Sequence, residues 1–223
     1  MAHSTPSKTS VPFNEVEGIA STNVPAYSNH NSSIFRIGRQ YLHGIYTGYQ
    51  WQCVEFARRW LLIRKGCVFR DIPSACNIWT DVQHIERVTD GQQFALRPIA
   101  NGSRQSPKKD SLLIYKRSRR MPFGHVAIIT DVIDDHVHIA EQNNLYNYWQ
   151  GDYARRAPIK LENGLYYIDE SDKIFGWMEI DDNDQLEPFD ESNKDRILEQ
   201  YIYRKPQGFF QRLFRSKTSQ TTQ

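Results

Sequence analysis

An α+β fold follows from three observations on this chain of 223 residues. An amphipathic helical run begins at Cys53, two short apolar runs starting at His125 and Val137 read as paired strands, and helix signals fall early in the body while strand signals fall late. The expected architecture is one helix packed on an antiparallel sheet.

Residues 1–12, rich in Ser, Thr and Pro, are expected to form a disordered tail ahead of a body spanning 13–181. The helix is justified by Val54, Ala57 and Leu61, which recur at three- and four-residue spacing, with Glu55, Arg58 and Arg59 on the other side. Gly48 and the stretch from Tyr49 to Gln52 lack helical signals, so Cys53 falls in the first turn. His125-Val126-Ala127-Ile128-Ile129-Thr130, entered through Pro122-Phe123-Gly124, reads as a buried strand. Val137-His138-Ile139-Ala140-Glu141 follows a polar turn containing Asp134 and Asp135, so the two strands pair as a hairpin. His125 and Glu141 then share one open end, directly opposite or one diagonal apart. The acidic run Asp181-Asp182-Asn183-Asp184 closes the body. Residues 182–223 are expected to be a partly disordered extension, in which Ile197 to Tyr203 adds a helix or a strand. Gly208 to Arg215 is basic and amphipathic, suited to docking its aromatics on the domain or to touching a membrane surface or a partner.

Composition narrows the function classes. A formal net charge of +2 gives no global attraction to nucleic acid. The polar N-terminus lacks a signal-peptide pattern and the longest apolar stretches are strand-sized, so a cytoplasmic location with three reduced cysteines is expected. The cysteine spacing fits no zinc pattern, and no metal or cofactor is expected.

The chemistry-bearing residues are one thiol, one imidazole and one carboxylate, in that order. At the head of a helix, Cys53 meets unpaired backbone N–H groups and the positive end of the helix dipole, a placement that lowers a thiol pKa. Its own N–H and the side-chain amide of Gln52 are candidate donors to a developing oxyanion. His125, at a strand mouth beside Gly124, is the candidate base, and Glu141 the carboxylate that orients it. Cys67 and Cys76 sit among apolar neighbours and read as core. Of the other histidines, His3 lies in the tail, His30 and His43 in loops, His84 on a helix, and His136 and His138 at or just after the turn; His138 has the parity that points away from the site.

These residues carry a resemblance. The chain resembles the amidase domain of the glutathionylspermidine synthetase/amidase and trypanothione synthetase/amidase family, within the wider CHAP group (cysteine, histidine-dependent amidohydrolase/peptidase). The likeness rests on Trp51-Gln52-Cys53-Val54-Glu55-Phe56-Ala57-Arg58-Arg59, Gly124 to Thr130, Ile139-Ala140-Glu141-Gln142-Asn143, Glu162-Asn163-Gly164, Gly176-Trp177-Met178, Val24 to Ser28 and Ala100 to Ser103, in order across roughly residues 11–181. It implies a papain-like fold and hydrolysis of the amide joining the glutathione glycine to spermidine, through a Cys53–His125–Glu141 triad and a thioester. It also implies substrate contacts at Trp51, Arg58 and Asn143, although a helix arginine one turn past Cys53 also reads as a solvated or structurally paired side chain.

Two departures from the family pattern bear on this reading. No Gly-rich phosphate loop accompanies the domain, so synthetase activity is not expected. The loop Lys116-Arg117-Ser118-Arg119-Arg120 is strongly basic; flanking the cleft, it would repel a polyamine and attract acidic groups, while as a solvated surface loop it would do neither. The alternatives are a peptidoglycan amidase or endopeptidase of the CHAP group, which usually travels with secretion signals and wall-binding repeats, and a non-catalytic module holding glutathionyl-polyamine ligands. The intact Cys53, His125 and Glu141 speak against the second.

Overall fold

In the computed structural model, which describes residues 10–31, 38–182, 185–189 and 194–195, the helix expected at Cys53 runs Cys53–Lys65 (α1). It follows Gln52, an extended N-cap, and stops where Gly66 turns left-handed at φ 58° and returns its N–H to Leu62 O. Arg64 and Lys65 in the last turn complement the negative end of the dipole.

Four strands precede this helix rather than further helical segments. Val16–Ile19 (β1) pairs with Pro25–Tyr27 (β2), and Arg39–Leu42 (β3) with Ile45–Tyr49 (β4), both antiparallel. After α1 come Cys67–Val68 (β5), a short 3-10 turn at Ala75–Asn77 leading into Ile78–Asp81 (α2), His84–Arg87 (β6), Gln93–Ala100 (β7) and Ser111–Tyr115 (β8). The remaining strands are His125–Ile133 (β9), His136–Ala140 (β10), Arg155–Glu162 (β11), Leu165–Ile168 (β12) and Ile174–Asp181 (β13). His84 therefore opens a strand, not a helix. Its neighbours alternate exposed, buried, exposed along β6, the period of a half-buried strand.

β5 to β13 form one antiparallel sheet of nine strands in the order β12-β11-β10-β9-β8-β13-β7-β6-β5. The expected hairpin is β9 and β10, turning at Asp134, which takes the left-handed conformation that aspartate tolerates. β8 and the first six residues of β9 are buried throughout because both faces of the sheet are covered. Leu112, Ile114, Val126 and Ile128 pack on one face with Phe56, Ala57 and Trp60 of α1. Leu113, Tyr115, Ala127 and Ile129 point to the other face, where Ala157, Ile168 and Trp177 close over them. The sheet curls to achieve this: Asn101, just past β7, exchanges side-chain hydrogen bonds of 3.2 and 2.8 Å with the Ile168 backbone of β12.

The expectation that Glu55, Arg58 and Arg59 face away from the packed side of α1 is corrected. All three are buried, because the β1–β2 and β3–β4 hairpins cover that side and the charges are neutralised locally. Arg59 Nε donates to Glu55 Oε1 at 2.8 Å, Thr47 Oγ1 donates to the same oxygen at 3.0 Å, and Gln142 Nε2 donates to Glu55 Oε2 at 3.1 Å. Beyond the body, Phe189 N donates to Ile63 O at 2.8 Å and its ring packs with Ile45 and Leu62. Ile197 to Tyr203 and Gly208 to Arg215 lie outside the described residues. No described helix is long and apolar enough to cross a membrane.

Candidate active site

Three elements converge on Cys53. The head of α1 supplies the thiol, the start of β9 supplies His125, and the residue after β10 supplies Glu141. Gly124 makes the approach of β9 feasible: at φ 69°, a side-chain carbon there would stand 2.7 Å from both Cys76 Cβ and Tyr115 O. His125 Nε2 lies 3.0 Å from Glu141 Oε2, and both side chains are almost wholly buried. The other ring nitrogen, Nδ1, is left for the thiol.

The charges in this row reinforce one another. Burial pushes the Cys53 thiol up, but the charge of His125, its hydrogen bond, and the N–H groups of Val126 and Val54 outweigh burial and hold the thiol below its ordinary value. Burial pulls the His125 imidazole down, yet Cys53 and Glu141 together raise it above its ordinary value. Both shifts run in the direction of a thiolate beside an imidazolium. Glu141 sits far below the usual carboxylate range: burial would raise it, and Arg155 and His125 override burial. Arg155 Nε donates to Glu141 Oε1 at 2.7 Å and Asn144 Nδ2 donates to the same oxygen at 2.9 Å.

A cleft of about 400 Å³ opens over Cys53, lined on one side by Tyr46, Tyr49 and Gln52 and on the other by the stretch from Asp71 to Ala75 and by Phe123. Gln52 reaches it with its orientation fixed, since its Oε1 accepts from Asn143 Nδ2 at 3.0 Å while its backbone carbonyl accepts from Gln142 Nε2 at 3.1 Å. Asn143, left-handed at φ 64°, also accepts from Asn29 Nδ2 and the Tyr146 hydroxyl through its Oδ1. It acts on Gln52 rather than lining the cleft. Trp51 is buried, stacks on Tyr27 at 4.3 Å and donates to Asn14 Oδ1, which gives it a packing role. Arg58 is buried too, its guanidinium donating to the carbonyls of Phe69 and Tyr46, so it ties α1 to its neighbouring segments and is absent from the cleft wall.

The basic loop does not line the cleft either. Arg117 turns to Cys76 Sγ and Ser74 Oγ, both 3.0 Å away, Arg120 pairs with Asp172, and Lys116 lies over the Phe175 ring. Cys67 is buried, and desolvation pushes its thiol up to about 12, whereas Cys76 is only partly buried. His138 packs its ring tilted against Tyr153 at 4.2 Å, away from the site as its parity indicated. No group of three or more His, Cys, Asp or Glu suited to a metal occurs among the described residues.

Arg155, Asn144, Tyr115 and the Glu55–Arg59–Gln142 cluster escaped the reading of the sequence. The Asn-rich stretch after Glu141 is a visible signal for the left-handed turn that brings Asn143 and Asn144 back. Nothing local marks Arg155, whose place depends on strand register alone.

Residues 44–143 match the CHAP domain family. Trypanothione synthetase of Crithidia fasciculata is 37% identical over 158 residues, covering 71% of this chain and 24% of that protein. The bifunctional glutathionylspermidine synthetase/amidase of Escherichia coli (strain K12) is 34% identical over 180 residues, covering 75% of this chain and 29% of that one. Glutathionylspermidine synthase of Crithidia fasciculata is 28% identical over 207 residues, 80% of this chain and 29% of its own. This chain thus spans about a quarter of the length of the relatives it matches. The chain carries a CHAP domain at residues 44–143, homologous to a part of trypanothione synthetase and of glutathionylspermidine synthetase/amidase.

Proposed function

We propose that this protein is a thiol amidohydrolase that cleaves the glutathione–spermidine amide, or a closely related glutathionyl amide, through Cys53, His125 and Glu141. The observation that carries the reading is the contact of His125 Nε2 with Glu141 Oε2 at 3.0 Å, in a buried row that ends on a thiol held below its ordinary pKa. The amidase named among its relatives supports the substrate class. A helix bearing Cys53 against an antiparallel sheet supports a papain-like arrangement of a domain spanning residues 13–181, and the site is expected to need no metal.

The Cys53 thiolate attacks the amide carbonyl, forming a C–S bond and moving the π electrons onto oxygen. The N–H of Cys53 and the donor end of the Gln52 amide receive that oxyanion. His125 delivers the Nδ1 proton to the departing amine as the C–N bond breaks, leaving a glutathionyl thioester. Water, deprotonated by the now neutral imidazole, opens the thioester and restores the thiolate–imidazolium pair. Glu141 holds the ring in the tautomer and orientation both halves require. The cleft wall favours an amine leaving group in one respect: it presents Asp71 beside Tyr46 and Tyr49, while the basic loop is engaged elsewhere.

The test is to incubate purified protein with glutathionylspermidine, glutathione-amide analogues and peptidoglycan fragments, with mass spectrometry of the products. Release of glutathione and free amine is expected. Cleavage of muropeptides alone, or binding of glutathionyl amides without turnover, overturns the proposal.

A further inference from the structure

Strand register places four side chains in a row across adjacent strands: Tyr115 ends β8 opposite His125 of β9, Glu141 follows β10, and Arg155 of β11 stands opposite Ile139, two residues before Glu141. Arg155 is a hub with two carboxylates on it. Its Nε donates to Glu141 Oε1 at 2.7 Å and its Nη2 reaches Glu141 Oε2 at 3.3 Å, a two-pronged grip on the carboxylate that orients the base. Its Nη1 pairs with Glu170 Oε1, and its Nη2 donates to the Tyr115 hydroxyl at 2.6 Å. That hydroxyl in turn donates to Glu170 at 3.0 Å, closing a ring of contacts that fixes the guanidinium.

We propose that Arg155 is a positioning residue for the thiol site, holding Glu141 in place and in its ionised form so that the carboxylate keeps His125 aimed at Cys53, with Tyr115 and Glu170 fixing Arg155 in turn. The inference rests on the triad reading given above. The charged and titratable groups facing Glu141 are Tyr115 from β8, His125 from β9, Arg155 from β11, and Glu17 from β1, whose carboxyl opposes it when ionised. Glu141 is 2% exposed, so losing the guanidinium leaves a buried carboxylate with one cationic partner instead of two. The proton shared with His125 then moves toward Glu141, the imidazolium beside Cys53 is depleted, and a positive charge has also left the surroundings. Both effects make the thiolate harder to form.

The experiment follows the pH dependence of Cys53 alkylation by iodoacetamide, located by peptide mapping, alongside turnover per folded molecule. In Arg155→Met the alkylation midpoint is expected to rise by about one pH unit or more, with turnover reduced at least tenfold. Arg155→Lys keeps the charge and loses the fork, so its midpoint is expected near wild type while turnover is intermediate. Tyr115→Phe, which removes only the hydroxyl bracing Arg155, is expected to move the midpoint in the same direction by less, and it serves if Arg155→Met does not fold. A midpoint unchanged in Arg155→Met, or in Tyr115→Phe if that variant must stand in, overturns the proposal whether turnover is normal or falls only with the folded fraction. Alkylation needs no amide substrate, so a failure of the glutathionyl-amide reading leaves this result standing. A wild-type Cys53 without enhanced reactivity would instead sink the triad itself.

Discussion

Replacing Glu141 by Gln keeps the shape of a buried side chain and removes its charge, which makes the consequence calculable from the contacts. The Oε1 position accepts from Arg155 at 2.7 Å and from Asn144 at 2.9 Å, so the carbonyl oxygen of the new amide stays there, facing two donors. Its NH₂ group is thereby turned toward His125 Nε2, 3.0 Å away. An N–H on that nitrogen would meet another donor, so the ring adopts the opposite tautomer, with its hydrogen on Nδ1 and a lone pair on Nε2. Nδ1–H then faces Cys53 and cannot take the thiol proton. For a carboxylate-to-amide change that reverses a catalytic imidazole in this manner, the loss is about 10⁴-fold in kcat, or roughly 5 kcal/mol of barrier. The alkylation midpoint of Cys53 is expected to rise by at least about one pH unit, because the imidazolium that stabilised the thiolate is gone. The assay is turnover on a glutathionyl amide together with the pH profile of alkylation. Turnover within tenfold of wild type and a superimposable profile would reduce Glu141 to a bystander and leave a Cys–His dyad.

Three further outcomes are expected. Limiting iodoacetamide should modify Cys53 first, Cys76 later through its partial exposure, and Cys67 last, since its thiol is buried and pushed up to about 12; peptide mapping that finds Cys76 or Cys67 leading would count against Cys53 as nucleophile. Glu17 is buried and its carboxyl is raised from 4.5 to about 7, chiefly by desolvation, with Ser28 pulling it down and Glu141 adding to the rise. The folded state therefore holds a proton there that the unfolded chain has released, and the stability this group provides is complete below about pH 4.5 and lost as pH rises through about 7, about 3 kcal/mol over some 2.5 units. Glu17→Gln should abolish that share of the decline in urea midpoints between pH 5 and 8, and parallel declines in the two proteins would refute it. Glu55→Gln leaves the buried Arg59 guanidinium without its ionic partner and should cost about 3–5 kcal/mol in urea unfolding at neutral pH; a cost under about 1 kcal/mol would mean the cluster is not what joins α1 to Gln142.

The proposed trio of Cys53, His125 and Glu141 was legible because each member carries a local signal: a thiol at a helix head, an imidazole beside glycine at a strand mouth, a carboxylate ending the next strand. The β9–β10 hairpin was legible for the same reason, having an apolar run on either side of a polar turn. What stayed hidden depends on contacts between distant segments. Periodicity along α1 put Glu55, Arg58 and Arg59 outward, as it must when charged residues are counted as solvent-facing, yet the two early hairpins cover that face and the charges meet one another. Those hairpins were themselves missed because their strands are only three to five residues long. The same limit applies to Arg155, an ordinary strand arginine until sheet order sets it beside Glu141. The basic loop read either as flanking the cleft or as a solvated surface loop from its position before His125, and only the partners of Arg117 and Arg120 show where its charge is spent.

The central claim, covalent catalysis by Cys53, is tested most directly by quenching the protein in acid during turnover of glutathionylspermidine and examining it by intact-mass spectrometry and peptide mapping. The account predicts a glutathionyl adduct on Cys53 that hydroxylamine removes, appears within one turnover and is absent from Cys53→Ala, a variant that should fold normally and release no product. An active enzyme with no adduct under conditions that slow deacylation, an adduct on another residue, or full activity in Cys53→Ala would contradict it.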